Sequence, residues 1–176
     1  MTRLTGCALA SAPVSPKKRS SIPSPRGERE CGRSSEPNVL DASIVIGWLL
    51  GEAEVARQAH AVRSRFESGE VALVPSLWAL EVANSLVVNE RRRRIDAETV
   101  EAGFRILRAL PVRVASTSTR TVLDHVAVLA RDQQLTSYDA LYLRLAIQRN
   151  LPLATGDKKG LVRAAEALGV PLLLPA

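Results

Sequence analysis

Four carboxylates of this 176-residue chain stand at positions where their chemistry could be put to use. Asp41 closes the apolar run VLDAS, Glu81 sits inside SLWALEVANSLVV, Asp139 opens TSYDALYLRLA, and Asp157 follows LPLAT in ATGDKKG. Gathered in one crevice they would repel: at an effective dielectric of about 20, two charges about 4 Å apart cost roughly 4 kcal/mol. Such a cluster persists only if protons or a cation neutralise it. Oxygen ligands without Cys or His suit hard ions, Mg²⁺ or Mn²⁺. A carboxylate-held Mg²⁺ activates water and steadies the charge on the attacking and leaving oxygens of a phosphodiester, with no side-chain nucleophile required.

Each acid also has a structural reading. Asp41 and Asp157 are placed to cap the helices that follow, and Asp139 comes three residues after Thr136, as in a capping box. Asp96, in IDAETV, reads as an N-cap and nothing more. Glu81 resists capping. It reads as mid-helix, among Leu77, Trp78, Leu80, Val82, Ala83, Leu86 and Val87, on a helix apolar nearly all round and therefore buried. A buried carboxylate needs a partner. Asn84 and Ser85, at the next turn, put two polar groups on the same stripe. A hydrogen-bonded stripe or one arginine would satisfy it, but a metal ligand with neighbouring donors explains it better.

Competing chemistries lack their residues. There is no GxGxxG, no GxxxxGK[ST] and no GxSxG. The two histidines, His60 and His125, have no evident nucleophile partner, and His125 reads as a helix residue satisfied locally. Cys7 and Cys31 make neither a disulfide framework nor a zinc cage. No apolar stretch approaches the roughly 20 residues that span a bilayer, which excludes an integral membrane protein.

The elements that must position the acids follow from hydrophobic pattern. Strands are expected at 39–43, 71–75, 112–115, 151–155 and 170–174. Helices are expected at 44–50, 54–67, 77–93, 97–110, 119–131, 138–149 and 158–167. Strands alternating with helices imply right-handed crossovers, hence an α/β single-domain three-layer sandwich with a mainly parallel central sheet. The carboxyl ends of its strands and the adjoining helix N-termini line one crevice, where Asp41 and Asp157 at strand ends and Asp139 at a helix start are placed to converge.

This body spans 38–176. Residues 1–37 differ in kind: five of the ten prolines, seven serines, and seven Lys/Arg against three Glu, so that +4 of the net +6 resides there. A segment so poor in large apolar side chains cannot offset its ordering entropy and is expected to be disordered. LTGC at 4–7 mimics a lipoprotein box with too little before it, and Glu28, Glu30 and Glu36 weaken a transit-peptide reading. A real disordered arm and a start assigned upstream of the true one both account for the segment.

Taken together, VLDAS, LEVANSL, TSYDALYLRLA and LPLATGDKK, in that order, resemble the PIN-domain ribonucleases, and among them the VapC-type toxins of bacterial toxin–antitoxin pairs. The resemblance covers roughly 38–176. It implies a Mg²⁺-dependent endoribonuclease (Mn²⁺ as a substitute), a cytoplasmic toxin held by a cognate antitoxin, and a homodimer. By this match Asp41 and Asp139 are the primary metal ligands, and Glu81 and Asp157 complete the coordination or hold ordered waters. Ser43, Thr155 and Asn84 match supporting polar positions. Gly156 and Gly160 depart from the family pattern and are expected to loosen the turn carrying Asp157.

Arg91, Arg92, Arg93 and Arg94 are the densest basic feature. They read equally as cations favoured at a helix C-terminus and as a phosphate grip for RNA. With two Trp, two Tyr and two Phe in the whole chain, base stacking on aromatic platforms is a poor expectation. Two other classes compete: a non-catalytic RNA-binding or protein-interaction module on the same fold, and another Mg²⁺-dependent phosphohydrolase. The first gains nothing from clustered like charge. The second usually pairs two acids near the first strand, whereas VLDAS has one. Every acid of the proposed set lies in the body, so a chain beginning at Asn38 should keep its melting temperature and any metal-dependent cleavage. Unfolding or aggregation of that shorter chain would show the domain boundary to be wrong.

Overall fold

The computed structural model describes residues 38–173, so Cys7, Cys31 and the reading of 1–37 lie outside the described residues. Four strands, β1 (Val39–Leu40), β2 (Ala72–Pro75), β3 (Val112–Ala115) and β4 (Leu153–Ala154), pair in the order β3-β2-β1-β4, all parallel. The described part of VPLLL joins by a single parallel bridge, Leu172 to Leu153. β1, β2 and β4 are buried throughout, which suits strands covered on both faces.

The helices are α1 (Ala42–Leu49), α2 (Ala56–Glu67), α3 (Trp78–Arg91), α4 (Ala97–Ala109), α5 (Thr119–Thr121), α6 (Ala127–Gln133), α7 (Ser137–Arg149) and α8 (Leu161–Ala167). A π turn at Val122–Val126 joins α5 to α6, so 119–133 runs on as one helical stretch with a single widened turn. The chain steps outward from β1 through β2 to β3, then returns past β1 to β4. With right-handed crossovers, α1 to α4 lie on one face and α5 to α7 on the other. Accordingly α1 packs on α2 and α3, α3 packs on α4, and α7 packs on β1, β2 and β4. The α/β fold with a parallel central sheet is therefore as the sequence predicts.

Two expectations about α3 need correction. The helix starts at Trp78, so Glu81 lies in its first turn and not mid-helix. Nor is the helix apolar-buried all round: Trp78, Val82 and Leu86 form one buried stripe at i, i+4 and i+8, while Leu80 is 74% exposed. The residues 76–77 form a turn after β2, and that turn takes up the chain expected to be helical. No helix among the described residues is long and apolar enough to cross a membrane.

Gly47 shows how tightly α1 sits. A Cβ there would stand 2.1 Å from Cγ2 of buried Val55. Helix propensity favours Ala over Gly by about 1 kcal/mol, but overpacking costs about 1–3 kcal/mol, and the overlap decides the sign. Gly47→Ala should therefore destabilise the fold in urea denaturation. Adding Val55→Ala should cost less in that background than in the wild type, because the second truncation makes room for the new methyl.

Candidate metal centre

The strand order reverses beside β1, so the crevice between the carboxyl ends of β1 and β4 is the topological switch point of the sheet. Asp41 follows β1 and Thr155 follows β4, and the two meet there. The backbone N–H of Asp41 donates to the Ala154 carbonyl at 2.9 Å, extending the ladder by one residue. Asp41 is 6% exposed and occupies the N-cap position of α1, yet its side chain makes no cap hydrogen bond. Instead Oδ2 accepts from Ser43 Oγ and, at 2.7 Å, from Thr155 Oγ1. Those hydroxyls are themselves fixed. Gly156 N–H donates to Ser43 Oγ at 2.9 Å, and Asp157 N–H donates to Thr155 Oγ1 at 3.1 Å.

Glu81 reaches the same region from α3. Tyr142, fully buried on α7, donates its hydroxyl to Glu81 Oε2. Asp139, one turn before Tyr142 on α7, is partly exposed. Its Oδ2 accepts from Thr136 Oγ1 at 2.7 Å, and its N–H donates to the same hydroxyl at 3.1 Å. Thr136 is thus the N-cap, and Asp139 orients the capping hydroxyl. In all three acids the side-chain hydrogen bonds fall on one oxygen, leaving the other without a side-chain donor among the described residues.

Electrostatics joins the three. Burial pushes the Asp41 carboxyl up; the Ser43 and Thr155 hydroxyls and the Ser43 backbone pull it down, and the charge of Asp139 adds to the rise. Glu81 is likewise raised, first by burial, against the Tyr142 hydrogen bond, and then by the charges of Asp41 and Asp139. The Tyr142 phenol is held far above its usual range by burial, by its hydrogen bond to Glu81 and by the Glu81 charge, so it remains a donor. Asp41 and Glu81 thus each feel the charge of Asp139 on top of burial, and all of the donors are oxygen. Their chemistry fits a hard divalent cation. The grouping is open, however: among the described residues no three His, Cys, Asp or Glu side chains stand close enough to hold one ion.

Asp157 is placed differently. Its carboxylate accepts from the backbone N–H groups of Lys159, Gly160 and Leu161 at 2.9–3.1 Å, closing the turn that leads into α8. Burial pushes its carboxyl up, but those N–H groups and the Lys159 charge outweigh burial and hold it below the usual carboxylate range. Three N–H groups spent on a side chain explain why α8 begins at Leu161 and not at 158. The two glycines do not loosen this turn. A Cβ at Gly156 would stand 2.6 Å from Val55 Cγ1, and one at Gly160 would stand 2.6 Å from Asp157 Oδ2. Both are sites of close approach.

The remaining residues lie outward. Asn84 is exposed one turn beyond Glu81, and Ser85 spends its carbonyl on Asn89 at 2.9 Å. Arg91 to Arg94 are exposed at the end of α3, about 15 Å along the axis from Glu81 at 1.5 Å per residue. Arg93 adopts a left-handed conformation (φ 56°), and the N–H groups of Arg93 and Arg94 close the helix end on Glu90 and Asn89. Asp96 caps α4 through Thr99, as its sequence context suggests. Tyr142 is the site residue that sequence reasoning missed. The available signal was its spacing, three residues after Asp139 on one helix face.

The raised acids carry a sign. A carboxyl whose folded pKa exceeds its unfolded value, about 3.9 for Asp and 4.3 for Glu, favours the fold when protonated. That contribution is present below the unfolded pKa and is lost as pH rises through the folded one. Asp157, depressed, contributes above about 3.9 and loses its contribution as pH falls through its lowered value. In EDTA, the melting temperature should therefore decline as pH climbs from about 4 through the raised values of Asp41 and Glu81. Asp41→Asn should flatten the decline, and Mg²⁺ should raise the melting temperature more at high pH than at low.

Comparison with known families agrees with this geometry. The PIN domain family matches residues 39–167, which takes in Asp41, Glu81, Asp139 and Asp157. No curated protein matches the chain. The chain therefore belongs to the PIN-domain family, whose members are in general Mg²⁺-dependent nucleases.

Proposed function

We propose that this protein is a metal-dependent endoribonuclease that hydrolyses RNA phosphodiester bonds and serves as the toxin of a type II toxin–antitoxin pair. The observation that carries the nuclease reading is the trio Asp41, Glu81 and Asp139 at the switch point, each held by hydroxyl donors on one oxygen, with the other free of side-chain donors among the described residues. A binding module gains nothing from that arrangement. The toxin reading is supported by the ordered motifs VLDAS, LEVANSL, TSYDALYLRLA and LPLATGDKK.

In this reading Asp41, Glu81 and Asp139, which stand too far apart to share an ion as placed, would draw together around Mg²⁺ or Mn²⁺. When bound, the ion supplies an acidified water and offsets charge developing on the phosphoryl oxygens. The protein supplies orientation. Ser43 and Thr155 hold one oxygen of Asp41, and Tyr142 holds one oxygen of Glu81, so that the second oxygen of each is left for the ion. Asp157 acts as a positioning residue: its carboxylate pins the turn, and its N–H fixes the Thr155 hydroxyl. Asn84 would serve as a polar support one turn beyond Glu81, and Arg91 to Arg94 grip RNA phosphates away from the acids. The cognate antitoxin would cover the crevice with a basic side chain among the carboxylates, and two copies of the chain would form a homodimer.

Purified protein should cleave structured RNA with Mg²⁺ or Mn²⁺ and stop in EDTA; full activity in EDTA would overturn the metal mechanism. Asp41→Asn, Glu81→Gln and Asp139→Asn should each lower the cleavage rate by about 10²-fold or more. Tyr142→Phe and Thr155→Val remove partners of ligands and should cost about 10–100-fold, with a higher Mg²⁺ requirement. Asp157→Asn should cost less in rate than Asp41→Asn and more in melting temperature. Wild-type rates in all three acid variants would return those residues to structural roles.

A further inference from the structure

A second polar cavity lies on the other flank of α7. It has a volume of about 110 Å³, room for several waters or one tetrahedral oxyanion. Arg144, Arg149, Ser116, Thr117, Thr121 and Gln148 line it, and none of the described lining residues is acidic. Arg144 is one of these lining residues, and its Nε is buried without a hydrogen-bond partner. Burying a guanidinium donor unsatisfied is costly, so such a group in a polar cavity points to a ligand that completes it. The lining set selects the ligand. A cation is disfavoured by the Arg144 guanidinium, and an apolar group would strand the hydroxyls. Donors converge from β3's trailing loop (Ser116, Thr117), from α5 (Thr121) and from α7 (Arg144, Gln148), that is, from several directions. A planar carboxylate engages a guanidinium edge-on, whereas a phosphate group accepts from all of these sides at once.

The cavity's position relates it to the acids. Asp139 lies in the first turn of α7 and Arg144 five residues on, which is about 7.5 Å along the axis and about 140° around it. Ser116 and Thr117 follow β3 at its carboxyl end, the same end of the sheet as Asp41. We propose that this cavity is a phosphate-binding subsite that takes a backbone phosphate of the RNA away from the scissile bond, as the strand passes over α7. The assignment to RNA rests on the nuclease reading; the affinity for phosphate does not.

The test uses the full chain in EDTA, so that binding is read without cleavage. Wild type and Arg144→Gln are melted in inorganic phosphate against chloride at matched ionic strength, and the Kd for a labelled single-stranded RNA is measured by anisotropy over a salt series. Phosphate should raise the wild-type melting temperature and leave that of Arg144→Gln unmoved. The RNA Kd should weaken about tenfold in the variant, with the salt slope reduced by about 0.7. Stabilisation by phosphate with an unchanged RNA Kd would assign the cavity to free phosphate and overturn the RNA role. No stabilisation of wild type and no change in Kd would overturn the subsite. Should Arg144→Gln fail to fold, Ser116→Ala combined with Thr117→Val, on a loop, carries the same two readouts. A wild type that binds RNA through this cavity yet cleaves none in Mg²⁺ would refute the nuclease reading and leave the subsite standing.

Discussion

A single carboxylate kept almost wholly out of water sets the terms for this structure. Asp41 ends the central strand, where it is 6% exposed and pressed upward in pKa by burial. A charge in that position needs donors, and the fold provides them from a distance. Ser43 comes from the first turn of the next helix, and Thr155 comes from the strand that pairs on β1's far side. Each donor is held in turn by a backbone N–H of the 156–157 segment. The strand order β3-β2-β1-β4 is the arrangement that lets both hydroxyls reach one oxygen. Moving β4 elsewhere in the sheet would strand Asp41 without half of its solvation.

The second tier of the site follows from the first. Once Asp41 is fixed, Glu81 and Asp139 cannot approach without raising one another's energy, and the structure holds each by one oxygen. Tyr142 does this for Glu81 and Thr136 for Asp139. Neutral donors orient each carboxylate without cancelling its charge. An arginine in their place would have satisfied the acids and emptied the crevice of its pull on a cation. The absence of His and Cys from these contacts keeps the donor set hard throughout.

Much of this is visible in the chain before folding, and the exceptions have physical causes. VLDAS, VALVP and VRVA are recognisable as strands because buried parallel strands are short, continuous apolar runs. Asp41 stands out as an acid at the end of such a run, and Glu81 as a charge among large apolar neighbours. The boundaries are less legible. Where α8 starts depends on how Asp157 spends its oxygens, a tertiary choice that spacing does not encode. The widened turn at Val122–Val126 leaves no mark in the sequence pattern, since its residues are ordinary helix formers and β-branched apolars. Glu81 looks mid-helix because Leu77 and Trp78 continue the apolar run backward, whereas the chain is still turning out of β2 at 76–77. Tyr142 is hidden for the opposite reason. An aromatic on a buried helix face looks like core, and only its hydroxyl's partner, 61 residues away, reveals a second role.

The pairing of Thr155 with Asp41 across 114 residues also bears on how the protein comes into being. Chains emerge from the ribosome N-terminus first, and long-range contacts must await their distant partner. β1 and its acid are made before the strand that completes the oxygen cage. An unfinished chain therefore carries Asp41 without Thr155, without the Gly156 amide that fixes Ser43, and without a parallel neighbour on one side of β1. The donor set of this acid is therefore complete only after the whole 114-residue span between Asp41 and Thr155 has been made.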